Sequence, residues 1–292
     1  MSHFDVAYND LIDRVLTGGS RRETRAKLES TGKHIDAITL FGHDGSGGLS
    51  LVAPAIHDEF PLLTTKRVWF HGVKHELLWM LSGSTNVRDL QAAKVRIWNQ
   101  WADENGELGA VYGAQWRAWN GKVDQIQGVL EGIAAVKADP HASVGRRIIL
   151  TGWNVEKIPE MALPPCHTLA QWDVRPAPAE QSGCYLDCVL YMRSCDAFLG
   201  LPFNAAQYAL LTTLLANLTG MTPGALTIHF GNLHVYSNHQ ESLLMQRGRD
   251  RHPAPRVRII GEIDPTLRSV DPDAIDLQGY VSGDPLPGEV AV

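Results

Sequence analysis

Residues 202–220, PFNAAQYALLTTLLANLTG, constrain the fold more than any other part of the chain. Apolar residues recur there at helical spacing along nearly all of one side, and Gly220 supplies a helix stop. The longest apolar runs, such as the one around Leu210–Leu215, are far short of a bilayer span, so this helix must be covered by the chain itself. The cover is visible as strand-like stretches at RIILTGW (147–153), CYLDCVLYM (184–192), LTIHFGNLHV (226–235) and RVRIIG (256–261). No βαβ alternation supports a doubly wound sheet. The expected fold is α+β: a large, mostly β-sheet core with one long buried helix, in a single domain over 1–292.

Three shorter helices are expected or half-expected around that core. Residues 5–16 place Ala7, Leu11, Ile12 and Val15 on one face. FHGVKHELLWMLSG (70–83) ends on Gly83, and VDQIQGVLEGIAAVKA (123–138) is a third. In 184–192, Leu186, Val189 and Tyr191 are not in phase, which leaves the buried face of that strand open. RPAPAEQSG (175–183) reads as a hairpin loop. Residues 17–56 are rich in Gly, Ser, Arg and Asp, with a strand-like piece only at 38–41, and 262–292 reads as a loose tail.

Composition excludes several classes of function. The 292 residues are 44% hydrophobic and 20% charged, ordinary for a soluble globular protein. Net charge is −6, so no general attraction to nucleic acid follows, and an anionic small substrate would need a local cluster of arginines or lysines. The opening MSHFDVAYNDLIDRV alternates charge with apolar residues and is not a signal peptide, so a cytoplasmic location is expected. The four cysteines, Cys166, Cys184, Cys188 and Cys195, are then free thiols. Cys184 and Cys188 are not a CxxC pair and lack a His at zinc spacing, so no metal is expected.

Several polar groups stand where chemistry could use them. Cys166-His167 follows Pro164-Pro165; a thiol is a good nucleophile only as thiolate, which neighbouring cations favour. The bland reading is a buried structural cysteine. Arg193-Ser194 and Arg146-Arg147 offer the planar donors and short hydroxyl that a phosphate takes, or else are surface ion pairs. Asn204 either caps the apolar helix or reads a base edge, since its amide offers one donor and one acceptor side. His234 and Tyr236 share a strand face. Glu76 lies among Leu77, Leu78, Trp79 and Met80, where its carboxylate is expected to be desolvated and able to handle protons. GxGxxG, Walker and HExxH motifs are absent.

In combination these segments resemble the thymidylate synthase family. The resemblance rests on FPLLTTKR (60–67), HELLWMLSG (75–83), IWNQWADENGELGAVYGAQWRAW (97–119), GRRIIL (145–150), LPPCH (163–167), RSCDAFLGLPFN (193–204) and HVYSNH (234–239), in that order, and on the ending Val290-Ala291-Val292. It implies transfer of a one-carbon unit from 5,10-methylenetetrahydrofolate to C5 of dUMP, without metal, in a homodimer. Position by position, Cys166 would attack C6 of the base. Arg193, Ser194 and, from the partner subunit, Arg146 and Arg147 would hold the phosphate. Asn204 would read the uracil edge, and His234 and Tyr236 the 3′-hydroxyl. Glu76, Tyr112, His167 and Asp196 would form the proton network. Trp98, Trp101, Leu163, Asp196, Gly200 and Phe203 would line the folate site, with Lys66 near the glutamate tail of the folate and Ala291 in the closing C-terminus. The arginines would help keep Cys166 ionised.

The sequence also departs from the family pattern. SRRETRAKLESTGKHIDAI (20–38) stands where an Arg-Thr-Gly-Thr-Gly phosphate loop is usual, leaving Arg21, Arg22, Arg25 and Lys33 as candidates for its arginine. A Gly-rich insertion, HDGSGGLSLVAPA, occupies 43–55. Asn99, Met192 and Asn232-Leu233 replace an Asp, a Gln and an Asp-small pair. The forms MRS and G-x-LHVY also resemble the phage hydroxymethylase branch, which adds water to the exocyclic methylene. The expected product is therefore dTMP, with 5-hydroxymethyl-dUMP as the alternative, and a non-catalytic nucleotide- or RNA-binding relative as a distant third.

Overall fold

A computed structural model describes residues 2–28, 30–177 and 182–290. Helix α1 (His3–Gly18) starts on Ser2, whose Oγ accepts from Asp5 N at 3.2 Å, and buries Tyr8, Leu11, Ile12 and Val15. Then follow β1 (Ser20–Lys27), β2 (His34–Phe41) and β3 (Ser50–Ala53). Helix α2 (Phe70–Ser82) stops at Gly83, which takes the left-handed conformation (φ 90°) that glycine adopts without strain. Short helices α3 (Val87–Ala92) and α4 (Tyr112–Arg117) precede α5 (Gln125–Ala138), which is capped by Asp124. The centre of the molecule is β4 (Ile149–Thr151), β5 (His167–Pro176), β6 (Cys184–Asp196), α6 (Gly200–Thr219) and β7 (Thr222–Tyr236). Helix α7 (Gln240–Arg247), β8 (Arg256–Ile259) and β9 (Ile275–Gln278) complete it.

The main sheet runs β1-β2-β7-β6-β5-β4, with β3 also paired to β7, and β8 and β9 form a separate ribbon. All pairs are antiparallel except β6 and β7. Parallel neighbours need a crossover, and α6 is that crossover. Strands β6 and β7 with α6 therefore form a βαβ unit, which the sequence pattern did not suggest. Helix α6 packs on β6 and β7 and buries residues on every side, so its burial is wider than the one-sided apolar pattern predicts. Trp172, fully buried on β5, donates its Nε1–H to Thr212 Oγ1 of this helix at 3.0 Å. The expected mostly β core with a long buried helix is what forms, with further helices α1, α2 and α5 packed into the same core.

The phase of β6 is resolved by its surroundings. Leu186, Cys188, Leu190 and Met192 are buried, whereas Val189 and Tyr191 are 42% and 44% exposed. The exposed residues continue across the sheet in register. Ile149 pairs with Gln171, Gln171 with Val189, Val189 with Thr227, and Thr227 with Val52. In the next row Leu169 pairs with Tyr191. This side of the sheet thus exposes Val52, Ile149, Leu169, Val189 and Tyr191 among polar neighbours such as Gln171, Thr227 and His229.

Two readings of the sequence need correction. Residues 20–27 are not loop but strand β1. It lies at the sheet edge, so most of its side chains are exposed and charged, and no apolar alternation marks it. The segment after 262 is not a loose tail either. Leu267, Val270 and Ile275 are buried, and β9 pairs with β8. Tyr280 Oη donates to Leu63 O at 2.8 Å, and Gly283 N to Thr64 O at 2.8 Å. Its contacts are single residues seated in separate places, which leaves no period to read. The expected hairpin between β5 and β6 exists as an antiparallel pair; of its loop, 178–181 lie outside the described residues.

Candidate active site

Cys166 sits at the start of β5 in a backbone held from three sides. Its N–H donates to Tyr112 Oη at 2.8 Å, and its carbonyl accepts from Arg193 N at 2.9 Å. Prolines lack an N–H but keep their carbonyls, and Arg193 uses both: Nε donates to Pro165 O at 2.6 Å and Nη2 to Pro164 O at 2.9 Å. Arg193 therefore clamps the Cys166 loop from the end of β6. Burial pushes the Cys166 thiol above its ordinary value; Arg193 and then Arg25 oppose this, and Asp196 adds to it. Desolvation outweighs the pull of the two arginines toward the thiolate.

Behind the thiol lies an aromatic layer. His167 is stacked flat on Tyr112, with ring centroids 4.0 Å apart, and its Nδ1 is 2.8 Å from Tyr208 Oη. Burial lowers the His167 pKa to about 3, so the ring is neutral. Beside it, Glu76 projects from α2. Its Oε1 accepts from Trp98 Nε1 at 2.6 Å and its Oε2 from Gln207 Nε2 at 2.5 Å. Burial raises its pKa to about 7, with the Trp98 and Gln207 hydrogen bonds opposing the rise. The expectation of a desolvated carboxyl is met, and a group poised near neutrality suits proton transfer in both directions.

Asn204 is not a cap. It lies inside α6, and its Nδ2 donates to Gln207 Oε1 at 3.3 Å. Gly200 brings the backbone close to Asn204 and Asp196: a Cβ there would lie 3.7 Å from Asn204 Oδ1 and 3.7 Å from Asp196 Cβ. Asp196 Oδ1 accepts from Phe198 N at 2.9 Å and so shapes the turn into α6.

An open cavity of about 310 Å³, large enough for a small molecule, lies against the middle of β1 and β2 and the C-terminal ends of β6 and β7. It brings together Arg193, Ser194, His234 and Tyr236, and adds Arg22 and Asn232. Asn232 Oδ1 is 2.9 Å from His234 Nδ1. Of the four candidate N-terminal cations, Arg22 lines the cavity. Arg25 is close enough to act on Cys166 and Tyr236. Arg21 faces Asp36 at 3.4 Å, and Lys33 is exposed at the hairpin turn. Arg146 and Arg147 are exposed ahead of β4 and do not line this cavity; Arg147 reaches Ser143 of its own chain.

The residues expected to line a folate site are grouped only in part. Trp98 packs against Trp101, with centroids 5.5 Å apart, and Leu163, Gly200 and Phe203 are half-buried. Lys66 points inward: its Nζ donates to Phe198 O at 2.5 Å over the Phe198 ring, and burial lowers its pKa to about 7. Ala291 lies outside the described residues. Just before it, Gly288 fits where a Cβ would come within 2.9 Å of Phe198 and 3.0 Å of His239. The Glu289 carbonyl accepts from Asn238 Nδ2 at 3.1 Å and lies 3.0 Å from His239 Nε2. The C-terminal segment is thus seated over the turn that carries Asp196 and Phe198. Gln207 was missed from the sequence, and Arg22 could not be singled out there. Gln207 carries a signal, a polar side chain three residues after Asn204 in an apolar helix; Arg22 was only one of several candidates.

A half-buried thiol clamped by Arg193, an arginine-bearing cavity that Arg193 also lines, and a buried carboxyl tied through Gln207 to Asn204 are the equipment of an enzyme acting on an anionic small molecule. The thymidylate synthase family model matches residues 6–292, and the chain belongs to the thymidylate synthase family. It is accordingly a folate-dependent enzyme of one-carbon transfer to C5 of dUMP.

Proposed function

We propose that the chain forms dTMP and dihydrofolate from dUMP and 5,10-methylenetetrahydrofolate, in the cytoplasm. The observation that supports this is where its departures from the family pattern fall. Asn99 is exposed and takes a hydrogen bond from Gln91 Nε2 at 3.1 Å; Met192 and Leu233 are fully buried in the core. None of these three offers a polar group to a water at the reacting carbon. Asn232 alone reaches the cavity, and it is spent on His234. That one residue is what favours the alternative product, 5-hydroxymethyl-dUMP.

In this reading Cys166 adds to C6 of the base and makes C5 nucleophilic toward the folate methylene. Asn204 holds the uracil edge. Arg193, Ser194, Arg22 and Arg25 take the phosphate, and His234 and Tyr236 the 3′-hydroxyl. Glu76, with Tyr112, His167 and Asp196, serves the proton steps. Trp98, Trp101, Leu163, Gly200 and Phe203 face the folate, and the docked C-terminus keeps water from the exocyclic methylene. The test is the fate of the folate: turnover should generate the ultraviolet absorbance of dihydrofolate in step with a product heavier than dUMP by CH2. A flat absorbance with a product carrying CH2OH would replace this reading by the hydroxymethylase.

The same reading makes the active unit a homodimer. Val52, Ile149, Leu169, Val189 and Tyr191, exposed on one side of the sheet, offer a face for a second copy, and Arg146 and Arg147 lie just ahead of β4 at its edge and do not line their own cavity. Mixing Cys166→Ala chains with Arg147→Ala chains should restore activity, to about a quarter of the parent level, since one site in each hybrid dimer regains both groups. Exchange of subunits without rescue would return the arginines to their own subunit's site.

A further inference from the structure

We infer that Gln207 is a positioning residue that ties the base-reading amide of Asn204 to the carboxylate of Glu76, so that the charge on Glu76 sets which way Asn204 faces the base. This rests on the roles given above to Asn204 and Glu76. Asn204 and Gln207 lie one turn apart on α6 and share a face. Gln207 is 2% exposed and bounded by Leu77, Trp116, His167 and Tyr208, so its amide has little room to wander. Its two ends are both used: Nε2 on Glu76 Oε2 at 2.5 Å, and Oε1 on Asn204 Nδ2 at 3.3 Å.

The direction of this chain follows from chemistry. An ionised carboxylate only accepts hydrogen bonds. Gln207 must therefore turn its NH2 to Glu76 and its oxygen to Asn204. Asn204 must then turn its NH2 to Gln207, which leaves Oδ1 as its free acceptor. Uracil presents an N3–H donor that such an acceptor takes; cytosine presents a bare N3 acceptor that it repels. Preference for uracil thus depends on a residue that does not touch the base. Trp98 holds the other oxygen of Glu76, so Gln207 is the link that carries orientation into α6.

Few other charges act on this link. Burial holds the phenols of Tyr112 and Tyr208 protonated and the His167 ring neutral. Arg117, at the far end of α4, is set against Asp124 at 3.1 Å. Lys74 of α2 itself donates to Pro272 O, and Asp273 faces His75. On α3, Asp89 accepts from Ser84 and Arg88 lies at the exposed surface. Lys66 titrates near the same pH as Glu76 but does not touch Gln207.

Two variants test the link, each measured for dUMP turnover across pH and for dUMP against dCMP. Gln207→Met keeps the length and removes both hydrogen bonds. Its Glu76 limb should move up by about one pH unit, because a donor to the carboxylate is gone. Its preference for dUMP should fall roughly tenfold or more, because Asn204 is free to turn over. Gln207→Glu keeps an acceptor for Asn204 but sets a second carboxyl against Glu76. It should keep its preference for dUMP while its limb moves up further. A packing role would lower kcat in both and leave limb and preference where the parent has them; that outcome overturns the inference. If Gln207→Met does not fold, an unmoved limb in Gln207→Glu is sufficient to overturn it. A parent enzyme that does not turn over dUMP would sink the reading of the site itself, a result distinct from failure of the link.

Discussion

Cys166→Ala should lose turnover of dUMP by roughly four orders of magnitude or more, while dUMP binding stays measurable. In the proposed reading the change removes the group that would add to C6. It leaves in place Arg193, Ser194, His234 and Tyr236, which line the cavity. It should also leave the fold intact, because the loop is held through backbone atoms: Cys166 N on Tyr112, and the carbonyls of Pro164, Pro165 and Cys166 on Arg193. The checks are single-turnover kinetics and the mass of enzyme trapped during turnover, which should carry a covalent nucleotide in the parent and none in the variant. Activity above a few per cent of the parent would place the nucleophile elsewhere. Because burial holds the thiol up in the free enzyme, the thiolate should form only once substrate is seated, so iodoacetamide should react slowly with the resting protein.

Glu76→Gln should lose about two to four orders of magnitude in turnover and at the same time stabilise the protein above neutral pH. The carboxyl is raised from 4.5 to about 7 by burial, so the folded protein holds this proton more tightly than the unfolded chain does. Its contribution to stability is full below about pH 4.5 and is lost as pH rises through about 7. A neutral amide avoids that loss, worth on the order of 3 kcal/mol at most. The net gain should be smaller, since one end of the new amide is a donor, while Trp98 Nε1 and Gln207 Nε2 are donors too. Thermal unfolding at pH 6 and pH 9 reads the sign: the variant's advantage should grow with pH. An advantage that does not grow from pH 6 to pH 9 would overturn the raised pKa of Glu76, and near-parental turnover would remove Glu76 from the proton steps.

The link from α6 to α2 shows why some of the site is legible in a sequence and some is not. Asn204 and Gln207 are three residues apart, and their shared face follows from helical period alone. Glu76 is 131 residues from Gln207, and no local pattern says that their side chains meet. The long motifs around Cys166, Arg193 and His234 carry the family, and with it the fold and the class of chemistry, before any coordinate is known. Helices α2 and α6 are legible for a local reason as well, because each combines an apolar stripe with a terminal glycine.

What the sequence by itself determined, then, is the long buried helix, most of the strands of the sheet, and the family with its class of chemistry. All of these are written in local period or in contiguous motifs. Tertiary structure alone decided the rest. Strand β1 forms because an edge strand can be charged and still pair with β2, so that Arg22 reaches the cavity while Arg21 turns to Asp36. The C-terminal segment is seated because single residues such as Tyr280, Gly288 and Glu289 find separate partners far away in the chain. The pull of arginines toward a Cys166 thiolate was legible in the motifs, but that burial outweighs it was not, because desolvation depends on everything packed around an atom, and a sequence does not contain that sum.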